Sequence, residues 1–334
     1  MRCLVTGGAG FIGSHLSERL LRSGHEVTAI DDLSTGSFEN ILFLHSHPDY
    51  EFHCDTIFNR QLMAELVDLA DIIFHLAAAV GVRRIIDFPV QSIETNVSGT
   101  EVVLDLAANK QRRLLIASTS EVYGKSNKLP FSENDDLVLG STYNQRWAYA
   151  CSKAIDEFLA LAYFRERRLP VTILRLFNTV GPRQTGQYGM VVPTFVQQAL
   201  LGEPITVFGD GTQSRCFAHV DDVIDGLLAV AADDSTAGEI FNLGNTEEIS
   251  ITELAQRVIA ITGSSSEIRY IPYNEAYGSG FEDMTRRIPD ISKAQKWLQY
   301  QPRFTLDDIL EDVVAFVRRQ LGRRKAILVD VPTE

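Results

Sequence analysis

The chain has 334 residues, is 45% hydrophobic and 22% charged, and carries a formal net charge of −13. That length and balance suit a folded protein with a sizeable core. They disfavour nonspecific binding to nucleic acid, whose phosphates call for a basic surface. No apolar run reaches the roughly 18 residues of a membrane helix. The N-terminus enters a strand at once and lacks the layout of a secretory signal. Cys3, Cys54, Cys151 and Cys216 are scattered with no metal-ligand spacing. The expectation is therefore four reduced thiols, no bound metal and a cytoplasmic address.

In chain order, Arg2 to Thr6 reads as a short apolar strand, followed at once by Gly7-Gly8-Ala9-Gly10-Phe11-Ile12-Gly13. Residues 14–23 then carry apolar side chains at helical spacing, and Glu26 to Ile30 forms a second strand ending in Asp31-Asp32. Strand, glycine turn, helix, strand and acid in this order describe a dinucleotide site. Gly7 turns the chain tightly off the strand, Gly10 admits a pyrophosphate close to the backbone, and Gly13 lets the helix pack against the sheet. The helix N-terminus offers unpaired N–H groups to the phosphates. An acid about 20 residues on accepts hydrogen bonds from the ribose. Asp31 takes that role, and its charge would repel a 2′-phosphate, which favours NAD over NADP.

Strand-like and helix-like segments then alternate. Residues 72–76 form a buried strand ending in Ala77-Ala78-Ala79, small residues that let a dinucleotide lie close or simply pack tightly. Residues 97–109 and 146–167 are helical, and 114–117 and 171–177 are strands. Repeated β-α-β order implies an α/β fold with a parallel doubly wound sheet, a Rossmann arrangement, with ligands at the strands' C-terminal ends. After Phe177 the pattern changes. Residues 178–190 are loop-like, Val191–Leu201 is a helix, Ile205–Phe208 a strand and residues 209–211 a turn. Residues 221–232, 252–262 and 306–320 are helical, and 239–243 is a strand able to rejoin the first sheet. The expected organisation is a dinucleotide-binding domain over 1–177 with returning segments near 216–245, an interleaved smaller α/β lobe over 178–322, and a solvated tail over 323–334.

A second chemical signal is Tyr149-Ala-Cys-Ser-Lys153, whose Tyr and Lys share one helix face. A lysine ammonium beside a phenol favours the phenolate, so the tyrosine could act as a base below its usual pKa of about 10. Upstream, Thr119-Ser120-Glu121 follows a strand at the same sheet edge. Its hydroxyls can bind a substrate hydroxyl and its carboxylate can move a proton. Taken singly, these are an ordinary helix pair and a Ser/Thr turn; both beside a dinucleotide site point to catalysis.

With these residues in place the chain resembles the extended short-chain dehydrogenase/reductase family of nucleotide-sugar epimerases, dehydratases and decarboxylases. The resemblance runs over nearly the whole chain, through TGGAGFIG (6–13), HLAA (75–78), TSEVYG (119–124), YACSK (149–153), FNTVGPR (177–183), VFGDGTQSRCF (207–217), FNLGN (241–245) and PDISKA (289–294). It implies that Gly7, Gly10, Phe11, Ile12, Gly13, Asp31, Asp32, Asp55, Leu76, Ala77, Ala78, Asn96, Tyr149 and Lys153 hold NAD. Asn178, Val192, Arg215 and Arg287 would hold the nucleotide diphosphate of the substrate, a task that suits arginine's planar donors. Thr119 and Tyr149 would face the sugar C4 hydroxyl, and oxidation there would give a 4-keto sugar. The triplet Thr119-Ser120-Glu121 looks most like that of UDP-glucuronate decarboxylases, and also like that of GDP-mannose 4,6-dehydratases, and Arg287 matches an arginine the decarboxylases place near the reacting carboxylate. Family 4-epimerases generally have a small or hydroxyl residue at the position of Glu121, and 4,6-dehydratases an acid pair. UDP-sugar 4-epimerisation, on UDP-glucuronate or UDP-glucose, is the first alternative and 4,6-dehydration the second. A different class, an NAD-sensing protein that has lost catalysis, is disfavoured by the retention of Thr119, Tyr149 and Lys153. Family members usually dimerise through two helices per subunit, here 97–109 and 146–167, the second bearing Ile155, Phe158, Leu159 and Ala162.

Overall fold

The structure is a computed structural model that describes residues 1–187, 189–277 and 282–329. Its centre is a seven-stranded sheet. The strands β1 (Arg2–Thr6), β2 (Glu26–Ile30), β3 (Tyr50–His53), β4 (Ile72–His75), β5 (Arg113–Thr119) and β6 (Val171–Leu176) are joined by a seventh, Ile240–Leu243. From edge to edge the order is Ile240–Leu243, β6, β5, β4, β1, β2, β3, and every pairing is parallel. The first connection carries the chain from β1 outward to β2, and a later one returns it to β4 on the other side of β1. That reversal opens a crevice at the C-terminal ends of β1 and β4, where such sheets bind ligands.

Alternation within β1 explains the layers. Cys3 and Val5 face one way, onto a core that includes Leu16, Leu20, Ile224 and Leu227. Leu4 faces the other way, onto Ile73, Val103, Leu104 and Ile116. Successive strand residues point to opposite faces, so a strand covered on both sides must be apolar throughout. Helix α1 (Phe11–Arg22) buries Leu16, Leu20 and Leu21 on the first face. The helices Pro89–Lys110 and Trp147–Arg167 pack on each other over the second.

Beyond β6 the chain builds a second core. Val192, Phe195, Leu254, Val258, Ile309 and Val313 meet there, from the helices Val191–Leu201, Ile251–Thr262 and Leu306–Val329. The strand Ile205–Phe208 pairs in parallel with Ile268–Ile271. Ile240–Leu243 then crosses back to β6, pairing Ile240 with Ile173 and Leu243 with Leu176.

Several boundaries differ from expectation. The helix read as 97–109 starts at Pro89, because proline fits a first helical turn, where its missing N–H has no partner to lose. Residues 178–190 include the strand Thr179–Val180, paired with Ala218–His219. The last helix does not stop at 320 but runs to Val329; Gly322 costs only about 1 kcal/mol relative to alanine in a helix interior. Of the tail, residues 330–334 lie outside the described residues.

Candidate active site

One continuous cavity of about 1100 Å³ runs along the C-terminal ends of the strands and under the second core. Its first half is the glycine turn. Gly7 has φ +71°, and a Cβ there would lie 2.8 Å from the Ala77 amide nitrogen. At Gly13 a Cβ would lie 2.1 Å from the Gly7 carbonyl oxygen. Side chains are thus excluded where the turn, α1 and the end of β4 converge. Gly10 is the N-cap of α1 and supplies no side-chain cap, which leaves the positive end of the helix to an anionic ligand.

Asp31 is buried at the end of β2 and accepts hydrogen bonds from the amides of Ala9 (3.0 Å) and Leu33 (2.8 Å). Burial pushes its carboxyl above the ordinary range, and the amides of Leu33 and Ala9 oppose that shift. The glycine turn and the acid thus hold one another. Asp32, Asp55, Phe11, Ile12, Leu76, Ala77 and Ala78 line the same half. Asp55 is oriented by Asn59, whose side-chain amide donates to it at 2.7 Å. A cradle that side chains would fill, an uncapped helix end and an acid at the next strand fit a dinucleotide.

Two expected cofactor residues do not line the cavity. Asn96 is buried behind it. Its side chain accepts from the Ala79 amide (2.8 Å) and donates to Ser152 Oγ (3.1 Å), so it fastens the segment after β4 to the Trp147–Arg167 helix. Lys153 is also buried, and its Nζ donates to Asp156 Oδ2 at 2.8 Å. The expected lowering of the tyrosine is not what this arrangement produces. Burial, then the charge of Glu121, pushes the Tyr149 phenol above its ordinary value, and a hydrogen bond with Thr119 opposes the shift. Asp156, one turn along from Lys153, pairs with the ammonium, and its charge adds a smaller upward push on the phenol.

The second half of the cavity begins where β5 ends. Ser118 Oγ donates to Glu157 Oε1 (2.5 Å), and Arg175 binds the same carboxylate through Nε (3.0 Å) and Nη2 (2.7 Å). The Arg175 guanidinium also lies 4.7 Å from the Tyr123 ring centroid. These buried contacts hold the turn that carries Thr119, Ser120 and Glu121 into the cavity wall beside Tyr149. Ser120 Oγ is buried with no hydrogen-bond partner among the described residues.

Glu121 is only 9% exposed yet charged. Burial alone would raise its pKa, but Arg146 and Arg287 outweigh that and hold it below the usual carboxylate range. Arg146 Nη1 donates to Glu121 Oε2, and Arg287 Nη1 lies 3.5 Å from Oε1. Arg146 Nη2 lies 3.5 Å from Asp283 Oδ1, and Asp283 Oδ2 accepts from Arg215 Nη2 at 2.8 Å. Asn178 Oδ1 accepts from Arg287 at 3.4 Å, and Val192 is buried at the start of its helix. Asn178, Val192, Arg215 and Arg287 thus line the same cavity as Thr119, Ser120, Glu121 and Tyr149, whereas Lys153 stands behind it. Arg146 and Asp283 also line the cavity and were missed in the sequence. Asp283 lies in a segment without periodic pattern, Arg146 stands at the very start of the 146–167 helix where spacing gives it no signal of its own, and their partners are distant along the chain.

The comparisons with known proteins agree with this geometry. A family model described as GDP-mannose 4,6 dehydratase matches residues 4–313. The UDP-N-acetyl-alpha-D-glucosaminuronate decarboxylase of Bacillus cytotoxicus is 41% identical, over 95% of this chain and 98% of its own length. UDP-glucuronic acid decarboxylase 1 of Xenopus tropicalis is 37% identical, over 96% of this chain and 73% of its own. Among solved structures, a UDP-glucuronic acid 4-epimerase from Bacillus cereus with UDP-glucuronic acid and NAD superposes with a TM-score of 0.87 at 31% identity, covering 96% of this chain and 100% of that one. DesIV, a dTDP-glucose 4,6-dehydratase from Streptomyces venezuelae, gives 0.88 at 32%, covering 97% and 98%. The chain belongs to the GDP-mannose 4,6-dehydratase family, within the extended short-chain dehydrogenases/reductases that its motifs resemble.

Proposed function

We propose that this protein is an NAD-dependent nucleotide-sugar decarboxylase that acts on UDP-glucuronate or a close relative with the same C5 carboxylate. The observation that carries the reading is the buried Glu121 held between two arginines beside Thr119 and Tyr149. Bound NAD supplies a hydride acceptor at the sugar C4 that later gives the hydride back. Tyr149 takes the proton of the C4 hydroxyl, and Thr119 holds that oxygen in place. The resulting 4-keto group makes the C5 carboxylate a β-keto acid. Its C5–C6 bond breaks with loss of CO₂, and the electron pair moves onto the ketone oxygen as an enolate. Ser120, or a water held by Glu121, then returns a proton to C5. Arg215 and Asn178 hold the diphosphate, and Arg287 faces the carboxylate that leaves.

The solved UDP-glucuronic acid 4-epimerase favours a second reading, in which the same 4-keto sugar is turned and reduced without losing carbon. Incubation with UDP-glucuronate and with its 2-acetamido analogue, followed by mass spectrometry, separates the two. Decarboxylation shows as loss of CO₂ and epimerisation as no mass change; loss of water from a 6-hydroxy sugar would instead mark a dehydratase. Unchanged mass with a new NMR spectrum would replace the first reading with the second.

We further infer a homodimer and a cytoplasmic address. Phe158 is 71% exposed, and Ile155, Val90 and Ile93 are also exposed, on the two helices that pack over the second face of the sheet. Leu159 by contrast packs partly into its own core. Four free cysteines fit a reducing compartment. Among the described residues no helix is long and apolar enough to cross a membrane.

A further inference from the structure

Five charged side chains form one alternating line along the substrate half of the cavity: Arg287, Glu121, Arg146, Asp283 and Arg215. Three cations face two anions, so the line has one positive charge to spare for an anionic substrate. The distribution is uneven. Glu121 touches two arginines, one through each oxygen. Arg146 is 3% exposed and sits at the N-cap of the helix that carries Tyr149, so its backbone is fixed by that helix.

We propose that Arg146 is a positioning residue for the step after C4 oxidation, keeping Glu121 ionised and in place when Arg287 turns to the substrate's carboxylate. The inference rests on the decarboxylase reading above. In that reading Arg287 has two carboxylates to serve, that of Glu121 and that of the substrate. When it serves the substrate, Glu121 loses one counter-ion and gains an anionic neighbour. A buried carboxylate beside a second carboxylate takes up a proton unless another cation holds it. The charged groups facing Glu121 are Arg146 and Arg287, with Asp283 beyond, and Tyr149 on the adjoining helix. Of the two arginines, Arg146 is the one the substrate does not claim, because its guanidinium is already braced between Glu121 and Asp283. Protonated, Glu121 would donate rather than accept at one oxygen and so lose its hold on the water that returns a proton to C5. Arg146 thus protects the second half of the reaction and touches no reacting atom.

The test counts protons. In a Tyr149→Phe background, which binds substrate with little turnover, calorimetric titration with UDP-glucuronate in buffers of different ionisation enthalpy measures proton uptake on binding. With Arg146 present the expected uptake is near zero. With Arg146→Met it should rise toward one proton near neutral pH, while UDP-glucose, which lacks the carboxylate, raises it much less. In the otherwise unmodified enzyme, Arg146→Met should slow protonation at C5 and the final reduction about 10²-fold, the scale of a lost acid–base contribution. NADH formation should slow less than tenfold, and the acid limb of the pH profile should move up by at least a unit. Arg146→Lys should restore the acid limb and the proton count. If Arg146→Met does not fold, Arg146→Lys and Arg146→Gln carry the same comparison. Equal proton uptake with and without the charge, or equal slowing of both half-reactions, overturns the role of Arg146. Wild-type enzyme that converts UDP-glucuronate without releasing CO₂ overturns the decarboxylase reading instead.

Discussion

Replacing Glu121 by Gln removes one charge from the buried line and nearly preserves its shape. Arg287 lies 3.5 Å from the carboxylate, an attraction of about 5 kcal/mol at an effective dielectric of about 20. Desolvation of the carboxylate cancels much of this, and breaking a buried pair from one side costs about 3–5 kcal/mol. Glutamine keeps an oxygen to accept from Arg146, so the expected loss is near the lower end, about 3 kcal/mol in urea unfolding at neutral pH. The kinetic consequence has an unusual direction. The wall goes from one unbalanced positive charge to two, so a substrate carboxylate should bind as well or better, and KM for UDP-glucuronate should stay or fall. Turnover should drop about 10²-fold through lost proton delivery, with NADH or a 4-keto pentose accumulating because C4 oxidation depends on Thr119 and Tyr149. Stopped-flow absorbance in the NADH band, with product analysis, reads both. An increase in KM at unchanged kcat would show that Glu121 only contacts substrate and would refute the argument.

Four further outcomes are expected. Tyr149→Phe should lower turnover about 10²-fold or more, and near-normal turnover would remove Tyr149 from the base role. Asp31→Ala should weaken NAD and narrow its advantage over NADP, and calorimetry on protein stripped of cofactor would show tighter NADP binding to wild type if the assignment is wrong. His15, whose Nε2 meets the Pro182 carbonyl at 2.9 Å, is lowered to about 4 by burial and then by Arg183; the unfolded chain, with its histidine near 6.5, binds the proton more readily, so stability should be full above pH 6.5 and fall as pH drops toward 4. His15→Gln should flatten that slope, and an unchanged slope would place the acid sensitivity elsewhere. Light scattering at micromolar concentration should give twice the chain mass, and Phe158→Glu should give the single-chain mass; a monomeric wild type would count against the dimer.

The part of the site most legible in the sequence is the part whose chemistry is local. Gly7, Gly10 and Gly13 act through backbone positions a few residues apart, and the structure leaves no room for a Cβ at Gly7 or Gly13. Tyr149 and Lys153 announce themselves by helix spacing, but the same spacing hid Asp156, whose proximity to Lys153 along the helix was just as readable. Arg146 and Asp283 were not legible, since their pairing joins positions 137 residues apart. The strand Tyr50–His53 escaped because it is an edge strand with only Tyr50 fully buried, so neither an apolar run nor a clean alternation marks it.

The returning strand Ile240–Leu243 bears on how the chain is made. Asn242 on it donates to the Phe131 carbonyl (2.9 Å) and accepts from the Tyr123 hydroxyl (2.7 Å), and its amide donates to Glu133 (2.9 Å). During synthesis, therefore, β6 emerges from the ribosome long before the neighbour that covers it. Until Ile240–Leu243 arrives, the nascent sheet has an open apolar edge, and Asn242 is not there to tie the 123–133 segment. An uncovered strand edge templates pairing with other chains, and parallel pairings between distant segments form slowly. A ribosome paused between β6 and Ile240 would hold the protein at its most aggregation-prone, and a nonsense codon in that interval should yield insoluble product rather than a smaller folded domain.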